Sequence, residues 1–270
     1  MPADRTRNRR IRADSISSVH RLNSAVARMP GAVVFHGGKG GVGTTMLATE
    51  MTMALASVGR RVAALDADLD RGSMHYRLDV SVGRATFSIA DVLPVLEDIT
   101  DDALRGALST CPCGASLLPP PVGRAGLAPP DAAHAGKLLS ALASNFDYVI
   151  IDTRAALDPF TTGLLMASDL IALVVTPELA CLGGAKRAVT ALDALPGERP
   201  RIELLINRSL GARDLVTRGD IESYLGMKAS AVLPEDTAMC RRLEAECKSL
   251  LSDRSALSCE VFRLSRALFG

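Results

Sequence analysis

Residues 31–70, GAVVFHGGKGGVGTTMLATEMTMALASVGRRVAALDADLD, decide the fold. Ala32 to Phe35 is a short apolar run, as a strand buried on both faces requires. A glycine-rich loop follows. From Thr44 to Val58 the apolar residues Leu47, Met51, Leu55 and Val58 recur at helical spacing, and Gly59 stands where a helix cap belongs. Val62 to Leu65 is a second apolar strand, and it ends in Asp66-Ala67-Asp68.

The same alternation continues outward. Tyr148 to Ile151 ends in Asp152, Leu170 to Val175 in Thr176-Pro177, Ile202 to Ile206 in Asn207, and Ala229 to Leu233 in Pro234. Helical spacing fills the intervals, at about 131–144, 159–168, 180–194, 217–225 and 236–247. Apolar strands alternating with helices predict an α/β fold: a parallel, mostly doubly wound sheet with helices on both faces. Ligands of such sheets sit at the carboxyl ends of the strands, where Asp66, Asp68, Asp152 and Asn207 all fall. Pro119 to Pro130 is proline-rich and reads as a loop.

Residues 38–45 are Gly38-Lys39-Gly40-Gly41-Val42-Gly43-Thr44-Thr45. The phosphate-loop pattern G-x-x-x-x-G-K-[ST] is met at Gly38, Gly43 and Thr45, but Thr44 occupies the lysine position. Glycines let backbone N–H groups turn inward around phosphate oxygens, and the helix that starts there adds its positive dipole end. The Thr45 hydroxyl is suited to Mg2+. The missing lysine removes one charge-assisted contact, about 1.5–3 kcal/mol. That amounts to roughly ten- to hundredfold in nucleotide affinity, and hydrolysis depends still more on charge stabilisation.

Carboxylates at neighbouring strand ends can hold Mg2+ or orient a water, because they are anionic and accept hydrogen bonds. A single one can equally cap the next helix. Three of them, Asp66, Asp68 and Asp152, beside a phosphate loop favour the metal and water roles. An asparagine amide such as Asn207 both donates and accepts, which matches an adenine edge. Asn207 and the Pro234-Glu235-Asp236 turn also suit ordinary turns.

Lysine at the second loop position, in Lys39-Gly-Gly-Val-Gly43, resembles the deviant Walker A loop of the MinD/ParA family of P-loop NTPases. The resemblance runs from Gly31 to Gly270. It implies ATP and Mg2+ as cofactors and a homodimer bridged by ATP, with Lys39 reaching the phosphates of the partner's nucleotide. It also implies that Asp68 orients the attacking water with Asp66 beside it. Thr45, Asp68 and Asp152 would hold Mg2+, with Asp152 as the Walker B residue. Gly38 through Thr45, Asn207 and Pro234 would bind the nucleotide. The family usually has proline where Arg154 stands. A guanidinium there could serve a phosphate in place of the loop lysine, or it could form a salt bridge. The Gly-Val-Gly-Thr-Thr loop, with residues 66–79, 146–159 and 169–178, resembles the TadZ/CpaE branch, which helps position and assemble Tad/Flp pili. The implied partner is a pilus or secretion protein. The alternative is an active ATPase serving division or partition machinery.

Composition bounds these readings. The chain has 270 residues, 48% hydrophobic, with a net charge of +1 and no tryptophan. Near-neutral charge and few aromatics argue against DNA as a partner. Residues 1–29 carry seven arginines against two aspartates and few apolar residues, so they read as a basic tail outside the ATPase-like domain of residues 30–270. No apolar run is long enough to span a bilayer, and no apolar stretch follows the tail arginines as in a secretory signal, so a cytoplasmic protein is expected. The six cysteines lack the spacing of a zinc site. Leu257, Val261, Leu264 and Leu268 form one stripe flanked by Arg263 and Arg266. Such a stripe suits a last helix docked on the sheet, the expected use, or a helix laid on a membrane at the periphery.

Overall fold

The structure is a computed structural model that describes residues 29–83, 86–121 and 130–269. The basic tail and the proline-rich stretch lie largely outside them.

Eight strands form one sheet: β1 (Met29–Gly37), β2 (Val62–Asp66), β3 (Ser109–Thr110), β4 (Ser116–Leu118), β5 (Tyr148–Asp152), β6 (Ser168–Val175), β7 (Arg201–Ser209) and β8 (Ala229–Pro234). Their order is β3-β4-β2-β5-β1-β6-β7-β8. Every pairing is parallel except β3 with β4. The parallel sheet is as expected; the antiparallel edge hairpin is not. Two- and three-residue strands carry too little periodicity to be read.

Ten α-helices are described: α1 (Thr44–Ser57), α2 (Met74–Arg77), α3 (Ile89–Val92), α4 (Asp101–Ala107), α5 (Ala132–Asn145), α6 (Pro159–Ala167), α7 (Leu179–Asp193), α8 (Arg218–Leu225), α9 (Thr237–Ala245) and α10 (Ala256–Phe269). Alternate residues of the strands feed two cores. Val33, Phe35 and Ile150 face one, with Leu47 and Met51 of α1, Leu182 of α7 and Val261 of α10. Ala32, Val34, Val149 and Ile151 face the other, with Leu104 of α4, Leu139 of α5 and Leu164 of α6. Helices therefore cover both faces, as the apolar strands demand.

α1 ends as its sequence proposes. The Gly59 amide donates to Ala56 O and the Arg60 amide to Leu55 O, with Gly59 in the left-handed region. This pairing satisfies carbonyls that the last turn leaves open. The C-terminal stripe is docked: Leu257, Val261 and Leu264 are buried in the first core, and Phe269 meets Tyr148 edge-on at 5.3 Å. Phe262 remains exposed.

Candidate functional site: a cleft at the strand ends

Register assembles the site. β1 lies between β5 and β6, and the pairings Asp66 with Asp152 and Phe35 with Asp152 bring three strand ends level. The 38–43 loop leaves β1 there. It is anchored where the Gly38 amide donates to Val174 O at 3.0 Å. Gly41 and Gly43 have φ of 78° and 100°, and a side chain at Gly43 would meet Asn207 Nδ2 at 2.4 Å. Positive φ and close approach both demand glycine there. The loop runs directly into α1, whose first residue is Thr44.

Gly41, Gly43, Thr44 and Thr45 share a cleft of about 430 Å³ with Asn207 and Pro234. The structure thus unites the loop with both expected base-side residues. Asn207 also has a use that its sequence does not reveal. It is buried, and its Nδ2 donates to Val42 O at 2.8 Å, which ties the end of β7 to the loop.

The carboxylates lie at the other side of the loop. Thr45 Oγ1 donates to Asp152 Oδ2 at 2.5 Å. Asp66 and Asp152 are both buried, and Asp66 Oδ1 and Asp152 Oδ1 have no hydrogen-bond partner among the described residues. The other Asp66 oxygen accepts from the Met74 amide at 2.9 Å. Burial, reinforced by Asp152, pushes the Asp66 carboxyl up to about 8. Burial pushes Asp152 up to about 7, against the pull of the Thr45 and Thr44 hydroxyls. Adjacent buried carboxylates resist ionising unless a cation offsets them. A hydroxyl, a carboxylate and an open, buried oxygen suit a hard divalent cation, so Thr45 and Asp152 fit Mg2+. Asp68 is half-buried at the rim. Its Oδ1 accepts the amides of Asp70 and Arg71 at 3.3 and 3.1 Å, and its charge raises both neighbours.

Two expected residues stand apart. Lys39, at the loop tip, is ion-paired with Glu178 of the same chain. Arg154 is ion-paired with Asp70, and with Asp158 at 2.9 Å, so its guanidinium forms a salt bridge at the rim. Gly184 was not singled out from the sequence. A side chain there would stand 1.7 Å from Gly38 O, so α7 packs directly on the loop backbone. Adjacent Gly183 and Gly184 inside a helix, each unfavourable by about 1 kcal/mol relative to alanine, were the available signal.

A glycine loop between a central strand and a helix, with a hydroxyl on a strand-end aspartate, defines a P-loop nucleotide-binding domain. An AAA domain family model (AAA_31) matches residues 32–204. The septum site-determining protein MinD of Thermotoga maritima is 24% identical over 250 residues, covering 90% of this chain and 89% of that protein. A ParA family ATPase from Chlorobium tepidum superposes with a TM-score of 0.79 at 23% identity, over 90% of this chain and 100% of that one. The septum site-determining protein MinD from Pyrococcus horikoshii, complexed with Mg-ADP, has a TM-score of 0.70 at 21% identity, over 88% and 95%. The chain belongs to the MinD/ParA family of P-loop ATPases, and its fold is theirs.

Proposed function

We propose that the protein is an ATP-held switch. It binds ATP with Mg2+, closes into a homodimer around the nucleotide, and hydrolyses it slowly or not at all. The observation that carries this reading is Thr44 in a loop otherwise built for phosphates. Its hydroxyl lies near Asp152 and offers no charge to the terminal phosphates. The Mg-ADP in the Pyrococcus horikoshii protein supports the choice of cofactor. Bound Mg2+ supplies charge neutralisation on the phosphates. Thr45, Asp152 and the rim residue Asp68 would hold it, and Asp68, with Asp66 beside it, would orient a water.

Dimer closure asks Lys39 to leave Glu178. That ion pair is half exposed, and such pairs contribute only about 0–1 kcal/mol, so release is easy. The next residue, Leu179, is 76% exposed beside it, as a surface awaiting a partner would be. The expected outcome is that wild type shifts from monomer to dimer with Mg-ATP in light scattering, while Lys39→Ala stays monomeric. A nucleotide-independent oligomeric state in both would refute it.

In the cell we assign the dimer to positioning a Tad/Flp pilus or secretion apparatus, from the cytoplasm and at a pole or the inner face of the membrane. Residues 30–270 form the switch and residues 1–29 a basic extension. The second reading, an active ATPase in septum placement or partition, is favoured by the MinD relative. Deletion separates them: lost pili with normal septa support the first, and misplaced septa or lost replicons the second.

A further inference from the structure

Arg77 lies in α2, on the segment that follows Asp66 and Asp68, and it lines the same cleft as Thr44, Thr45 and Asn207. It is 5% exposed. Its Nε donates to Thr49 Oγ1 at 3.0 Å and its Nη2 to Glu50 Oε1 at 3.0 Å, both on α1. Glu50 is itself fully buried. Its second oxygen accepts from Ser249 Oγ at 2.6 Å and from the Leu250 amide at 2.9 Å. The guanidinium is thus clamped on two nitrogens. The third, Nη1, makes no hydrogen bond among the described residues. Guanidinium is a planar fork suited to phosphate oxygens, and burial removes the solvent screening that weakens surface charges.

Resting on the reading of this cleft as the nucleotide site, we infer that Arg77 is a further nucleotide-binding residue. It supplies a fixed positive charge to the phosphate nearest the nucleoside. The cleft runs from the start of α1 to Asn207 and Pro234, whereas Lys39, Asp66, Asp68 and Asp152 lie outside it. On this inference a nucleotide with its base at Asn207 and its terminal phosphates at the Asp152 side has its first phosphate between Thr45 and Arg77, which share the cleft lining. The loop lacks a lysine at its far end; Arg77 holds the near end, so binding persists while turnover is poor. Glu50, Ser249 and Leu250 act through Arg77 by holding its fork.

The test is the affinity of adenosine, AMP, ADP and ATP for wild type, Arg77→Met, Arg77→Lys and the double variant Arg77→Met/Glu50→Gln. The double variant leaves no buried unpaired carboxylate, so the cleft can be compared in a folded protein. Expected is a loss of about tenfold or more for AMP, ADP and ATP alike in both Met variants. Adenosine affinity stays unchanged, and Arg77→Lys recovers part of the loss. Equal losses for adenosine and ADP, no loss, or a loss confined to ATP would overturn the assignment. Wild type that binds none of the four would instead overturn the nucleotide reading itself, and this inference with it.

Discussion

His36, one residue before the loop begins to turn, is a polar group enclosed in the core at the end of β1. Its Nδ1 lies 3.0 Å from Thr153 Oγ1, and that hydroxyl also donates to Phe35 O at 3.0 Å. Burial lowers the imidazole to about 4, against a smaller opposing pull from Asp158. The folded protein therefore refuses a proton that the unfolded chain accepts below about 6.5, so stability falls as pH drops from there toward 4. In wild type relative to His36→Gln, this should remove about 2 kcal/mol between pH 6.5 and 5. Urea denaturation of both proteins at the two pH values checks it, and parallel profiles would contradict it. Such enclosed residues were the least legible part of the sequence. Gly38, Gly43, Thr45 and Asp152 announce themselves because a phosphate site needs those residue types at that spacing. His36 does not, nor do Glu50 and Arg77, since their pairing exists only once α2 packs on α1. Asn207 was legible as a site residue but not as a tie to Val42, a contact spanning 165 residues.

At the scale of elements, the long parallel strands were readable because burial on both faces makes them continuous apolar runs. Their helices were readable from spacing, with ends displaced by a residue or two. The edge hairpin β3–β4 and the short helices α2 and α3 carried no period long enough to see. α10 had two readings of one apolar stripe, and packing decides between them: Leu264 is 1% exposed in the first core, and α10 packs against β8 and α1. Leu264→Ala should lower unfolding free energy by about 2–5 kcal/mol, as deletion of a buried leucine does. Denaturant melts measure this directly, and a loss under 1 kcal/mol would mean that the helix is only loosely held. With the stripe docked, liposomes of anionic lipid should not retain the protein through residues 257–269. Co-sedimentation abolished by removing that segment from a chain that stays folded would reverse this reading.

For the whole molecule, one sheet levels three strand ends, and everything chemical gathers there. The cleft at Asn207 and Pro234 lies to one side and the buried pair Asp66 and Asp152 to the other, while Lys39 is half-exposed and Leu179 exposed. Among the described residues no helix is long and apolar enough to cross a membrane. This distribution fits the proposed switch, which grips a nucleotide and shows the result to a partner. The central claim is that Thr44 separates binding from turnover. Calorimetric Mg-ATP affinity and steady-state phosphate release, measured side by side for wild type and Thr44→Lys, test it most directly. Expected are measurable binding with little release in wild type, and roughly ten- to hundredfold tighter binding with clearly faster release in Thr44→Lys. Wild-type release equal to that of the lysine variant, or no wild-type binding at all, would contradict it.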